Sequence, residues 1–176
     1  MKYLSFTSPK LNTKTLTISG LLLALDILCY KISIGPSYFS LNMGFISTAL
    51  LGYFLGPWLA GALEMLSDFL NFTLFGSGNF AFSFLIPAFL GGMLCGIFLH
   101  NKNRNSVSIA ILNFLILIPI SLILNTLLVA QIYHMSWEPL MVARLARSII
   151  LIFLQTIVLI YVLKHFDRLN VREKLY

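Results

Sequence analysis

Charge is scarce in this chain of 176 residues: only 10% are Asp, Glu, Lys or Arg, against about 25% in an ordinary soluble domain. Hydrophobic residues make up 59%, and the mean hydropathy is +0.90. A compact soluble domain of this size has too little interior to hide that much apolar side chain. Soluble globular, disordered, collagen-like and coiled-coil classes are excluded. Cysteine is nearly absent. Cys29 and Cys95 both sit inside apolar runs, too few for a disulfide framework or a metal site. Cys29 also lacks the lipid-attachment pattern, because Asp26 and Leu28 stand where Leu and a small residue belong. No phosphate-cradling Gly-Lys loop, zinc-type histidine pair or nucleophile elbow occurs. His100, His134 and His165 lie apart, at loops or run ends. The expectation is no enzyme, with no catalytic residue, cofactor or metal.

What remains is long apolar runs. They predict an all-α membrane protein, a single integral membrane domain over residues 1–176 built as a bundle of six transmembrane helices. The spans fall at about 14–34, 38–55, 57–74, 80–99, 107–131 and 139–164. Ile34-Gly35-Pro36-Ser37 is a turn signal, Gly56-Pro57 breaks one span and opens the next, and Gly76-Ser77-Gly78-Asn79 is a loop. Six spans use about 120 residues, which leaves no room for a soluble nucleotide-binding domain. The formal charge of +6 is read through topology, not nucleic-acid binding. Lys2, Lys10 and Lys14 precede the first span. Lys102 and Arg104 follow the fourth, and Lys164, Arg168, Arg172 and Lys174 follow the sixth. Six spans put all three groups on one side, which the positive-inside rule makes cytoplasmic. Both termini are therefore expected to be cytoplasmic.

Six ionisable residues fall within the apolar runs: Asp26, Lys31, Glu64, Asp68, Arg144 and Arg147. Each charge there costs at least about 2.5 kcal/mol, and three of each sign suggest pairing inside the bundle. Glu64 and Asp68 share one helix face, as do Arg144 and Arg147. One reading is buried pairs that fix helix register. The other is a ligand site opening outward, built from Lys31, Asp68, Arg144 and Arg147. Aromatic residues, among them Tyr38 and Trp137, crowd the outer loops. They form either an interfacial belt or walls for a flat ligand, with Asn71 and Asn79 able to give directional hydrogen bonds. Gly20 with Ala24, and Ala88 with Gly92 and Gly96, are small-residue stripes that let helices approach closely. Such stripes either pack within the bundle or dock another membrane protein.

The pattern resembles the substrate-binding S components of energy-coupling factor (ECF) vitamin transporters, most of all their folate branch. The resemblance rests on Phe54-Leu55-Gly56-Pro57 followed by Gly61 and Asp68, and on the aromatic and glycine-rich run to Gly96. It rests also on Asn125-Thr126-Leu127 and on Arg144 in a helix that ends in a basic tail. It covers about residues 14–166 and implies a non-enzymatic subunit in a bacterial cell membrane. Its outward-facing pocket would bind folate or a related vitamin. Its partners would be an ECF transmembrane coupling subunit and two cytoplasmic ATPase subunits, within the lipid bilayer and without nucleic acid. Gly20 and Ala24 match the family's Ala-x-x-x-Ala docking motif, with Gly in the first place. Lys31 stands where the folate branch has Arg, a point charge instead of a bidentate fork. The competing readings are an S component for another vitamin or nucleobase-like compound, an intramembrane enzyme, or a membrane-assembly protein.

Overall fold

The computed structural model describes residues 5–34, 41–75, 82–100, 105–133 and 137–168. Helix α1 covers Thr13–Lys31. Its buried residues are Thr15, Ser19, Leu22 and Asp26, spaced four, three and four, so one helix face turns inward. That face is mostly polar, while Leu16, Leu21 and Leu28 are exposed. The arrangement inverts a soluble helix and suits one whose outer face meets lipid.

A short antiparallel pair follows, β1 (Ser33–Ile34) with β2 (Leu41–Asn42). Met43 N–H then bonds the Ile32 carbonyl at 3.0 Å, and helix α2 runs Gly44–Phe75. The helix thus begins at Gly44, not near residue 38. The backbone of Ser33–Ile34 and Leu41–Asn42 satisfies hydrogen bonds in the antiparallel pair first.

Helix α2 does not run straight. Gly56 has φ 72°, a left-handed conformation that glycine adopts without penalty, and Pro57 follows with no N–H to donate. Thr48 and Glu64 would lie about 24 Å apart along a straight helix. Instead the Thr48 hydroxyl donates to Glu64 Oε1 at 2.8 Å, and Ser47 and Ser67 both reach Asp26. Arms 44–55 and 57–75 therefore lie antiparallel, with the reversal at Gly56. The buried face of the first arm is nearly continuous, with Leu50, Leu51, Phe54 and Leu55 at 5% exposure or less.

A 3-10 turn at Phe82–Phe84 leads into α3 (Leu85–Leu99). Helix α4 (Ser106–Leu115), a π-helical stretch (Ile116–Leu124) and α5 (Asn125–Tyr133) form one continuous rod. The sequence predicts an uninterrupted span here. Pro119 supplies the reason for the wider turns, because it cannot fill its place in an α-helical ladder. Helix α6 runs Trp137–Arg168. Among the described residues, five helices are long and apolar enough to cross a membrane, and one of them is the folded-back α2.

One end of the bundle is tied by the start of the chain. Ser5 N–H donates to the Ile97 carbonyl at 3.0 Å, and Trp58 N–H donates to Ser8 Oγ at 3.2 Å. The Tyr53 hydroxyl donates to Asp167 Oδ1 at 3.0 Å, and Phe54 meets Phe166 edge to face. The first described residues, the Gly56 reversal and the end of α6 therefore share one end. Lys31 and Phe75 share the other.

The two small-residue stripes divide between the two readings. A Cβ on Gly96 would lie 2.3 Å from the Pro57 backbone, and one on Gly92 2.6 Å from the Ala60 carbonyl oxygen. That stripe is packing between α3 and α2. A Cβ on Gly20 would meet nothing within 4 Å, and Ala24 is exposed. The backbone at Pro57 cannot swing aside as a side-chain tip would, so Gly96→Ala should destabilise the fold by about 1–3 kcal/mol, the usual cost of overpacking. Thermal unfolding in detergent should show a lowered midpoint for Gly96→Ala and none for Gly20→Ala.

Candidate functional site

The helices enclose a cavity of about 710 Å³, within the range of about 300–1,000 Å³ for small-molecule pockets. Two facing walls supply about half of its lining. On the second arm of α2, Glu64, Asp68, Asn71, Phe72 and Phe75 recur at helical spacing. Opposite them stand Phe84, Pro87, Ala88, Gly91 and Cys95. The small residues among these leave the volume open. The α4–α5 rod adds Asn113, Ser121 and Asn125, and α6 adds Gln155. The π-helical turns between Asn113 and Asn125 alter the register there, which brings Ile116, Ile120 and Ser121 to the cavity together.

Three acceptor oxygens on residues that line this cavity lack donors among the described residues. Glu64 Oε1 accepts from Thr48, while its Oε2 is buried and has no hydrogen-bond partner among the described residues. The same is true of Asn71 Oδ1 and Asn125 Oδ1. Buried oxygens left in this state cost roughly 1–3 kcal/mol each, a cost that a ligand with N–H donors would relieve. The cation of the cavity is Lys31, whose Nζ lies 3.9 Å from the centroid of the Phe75 ring. That is a cation–π distance, and it leaves the ammonium donors free of a carboxylate in this contact.

Of the residues expected at a site, Lys31, Asp68 and Asn71 come together on the cavity wall. Arg144 is elsewhere: its Nη1 donates to Thr126 Oγ1 at 3.2 Å, tying α6 to α5. It stands eleven residues before Gln155 on the same helix, about 16 Å toward the Lys31 end. Arg147 is half-buried and, with Arg144, lies outside the described cavity wall. Tyr38 and Asn79 fall outside the described residues, as does the side chain of Trp137. The expected pairing of opposite charges takes a different form for Asp26 and Glu64. Their observed hydrogen-bond partners are the hydroxyls of Ser47, Ser67 and Thr48.

Thr48, Asn113, Ser121, Asn125 and Gln155 were not expected at the site. Asn113, Asn125 and Gln155 carried a signal, each being an amide within a long apolar run, where polar groups face a bundle interior. Thr48 carried none, since its approach to Glu64 depends on the reversal angle at Gly56.

Comparison with known proteins gives this architecture its relatives. The family described as ECF transporter, substrate-specific component, matches residues 14–163. The folate transporter FolT of Clostridium novyi (strain NT) is 29% identical over 143 residues, covering 81% of this chain and 83% of that protein. The folate transporter FolT of Leuconostoc mesenteroides is 22% identical over 135 residues, covering 74% and 71%. A crystal structure of FolT bound with folic acid superposes with a TM-score of 0.76 at 24% identity, covering 84% of this chain and 90% of that one. The fold is therefore shared with that structure. With the family match running from α1 almost to the end of α6, this chain belongs to the substrate-specific components of ECF transporters, a family of membrane transport subunits and not of enzymes.

Proposed function

We propose that this chain captures folate from outside a bacterial cell and hands it to an ATP-driven uptake machine. The observation that carries the reading is the cavity, with its aromatic walls, three partnerless acceptor oxygens and a cation toward one end. Folate has the complementary parts. Its pterin is flat and presents N–H donors, which suit Glu64, Asp68, Asn71 and Asn125, and carboxylate pairing with two N–H groups is strong. Phe72, Phe75 and Phe84 offer rings for stacking. Its glutamate tail carries two carboxylates, which Lys31 meets first, with Arg144 and Arg147 farther toward the same end. On the sequence alone, Tyr38, Asn79 and Trp137 are further candidates for folate contacts. The relatives named as folate transporters favour this vitamin over others.

The reversal at Gly56 supports six spans, with the arms of α2 as the second and third. Lys10, Lys14, Lys164 and Arg168 accompany the end that holds the start of the chain, so that end is cytoplasmic by the positive-inside rule. The cavity cation lies at the opposite, outer end. Nothing in the sequence cradles a phosphate, so energy comes from two ATPase subunits acting through a transmembrane coupling subunit. Gly20 and Ala24 are open on the outward face of α1 and let a partner helix approach closely.

Three outcomes test this. Titration of purified protein should show that Lys31→Ala and Arg144→Ala weaken folic acid at least tenfold but leave pteroic acid, which lacks the glutamate tail, nearly unchanged. Arg168→Ala should change neither, and an equal loss for both ligands would remove the tail from this end. The double variant Gly20→Leu, Ala24→Leu should lose uptake and complex assembly while folic acid binding by the isolated subunit survives. Normal uptake would refute docking through α1. Reporter fusions at either terminus should report the cytoplasm, and an external signal at one of them would break the six-span topology.

A further inference from the structure

Asp26 is 2% exposed in the middle of α1, and no part of the proposed binding chemistry uses it. The hydroxyls of Ser47 and Ser67 each approach one of its carboxylate oxygens. The chain of contacts continues: Asn71 Nδ2 donates to Ser67 Oγ at 3.4 Å, and Asn71 lines the cavity with Oδ1 partnerless and only 7% of the residue exposed. A serine hydroxyl has one proton. Ser67 accepts from Asn71 through a lone pair while its own proton is directed to Asp26. Without that acceptor, Ser67 is free to donate to Asn71. The carboxamide then gains by turning over, bringing Oδ1 to Ser67 and Nδ2 to the cavity.

We propose that Asp26 is a positioning residue that acts through Ser67 to hold Asn71 as a hydrogen-bond acceptor at the cavity wall. This rests on the reading of the cavity as the folate site. The arrangement adds Asn71 to Glu64 and Asn125, whose oxygens are also without partners among the described residues. It also joins the face of α1 opposite its exposed leucines to the cavity, through two side chains of the second arm of α2.

The test is a double-mutant cycle read by folic acid titration of the full-length protein. Asp26→Leu and Asn71→Ala should each weaken binding about tenfold. Asp26→Leu added to Asn71→Ala should cost nothing further, because the effect passes through that one amide. Asp26→Asn should rescue binding: its Oδ1 still accepts from Ser67, and its amide donates to Ser47, which then keeps its proton for the Gly44 carbonyl 2.8 Å away. Should Asp26→Leu fail to fold, Ser67→Ala breaks the same link, and it should match Asn71→Ala and be silent on top of it. Wild-type affinity in Asp26→Leu or Ser67→Ala, multiplying losses in the double variant, or no rescue by Asn would each overturn the proposal while leaving the folate reading intact. Wild-type protein that ignores folic acid would overturn both.

Discussion

The backbone of α3 touches the reversal in α2 with no side chain between them. Gly96 sits where a Cβ would fall 2.3 Å from Pro57, and Gly52 where one would fall 2.5 Å from the Cys95 backbone. Within a membrane, helices gain little from hiding apolar surface, since lipid is as apolar as leucine. Close packing and interhelical hydrogen bonds supply the association instead. This contact therefore fixes the geometry on which the rest depends. It sets the second arm of α2 against α3, and those two faces form two facing sides of the cavity wall. The reversal itself needs Gly56, held at φ 72° beneath the Thr7 carbonyl and Ser8.

The polar interior is arranged with few ionic commitments. Burying an ion pair recovers little net energy, because desolvation offsets the attraction. Here Asp26 and Glu64 meet hydroxyls, and each bond joins two segments: Ser47 and Ser67 close both arms of α2 on α1, and Thr48 closes one arm on the other. Asn113 does the same from α4 to Thr156 of α6 at 2.9 Å. Hydroxyl partners satisfy an acid's oxygen without adding a charge of their own. That leaves the cations Lys31 and Arg144 with a ring and a hydroxyl, contacts that a ligand carboxylate can outcompete.

Much of this was legible before any coordinates. Apolar runs and the Gly56-Pro57 break located the helices, and the shared face of Glu64 and Asp68 pointed to a wall of the cavity. The resemblance carried the family. The start of α2 was not legible, because a two-residue β pair leaves almost no periodicity to read. The π-helical turns after Leu115 were hidden too, since Pro119 signals a disturbance without saying which kind. The stripes at Gly20 and Gly96 look alike in sequence and do opposite things. Spacing states that a helix can approach, and only the fold states whether a neighbour is already there.

That difference explains how α1 serves two tasks. Its inward face carries Ser19 together with Thr15 and Asp26, and the bonds of those last two run to Lys10 and to the arms of α2. Its outward face is leucine and small residues, and none of the described residues packs within 4 Å of a Cβ placed at Gly20. A helix held only by apolar packing would be free to rotate, since lipid and leucine are interchangeable neighbours. Hydrogen bonds are directional, so the buried acid fixes the rotation of α1 about its axis. With the rotation fixed, Gly20 and Ala24 point consistently away from the bundle and Lys31 consistently over Phe75. One buried carboxyl thus aligns an outward surface and a cavity cation on the same rod.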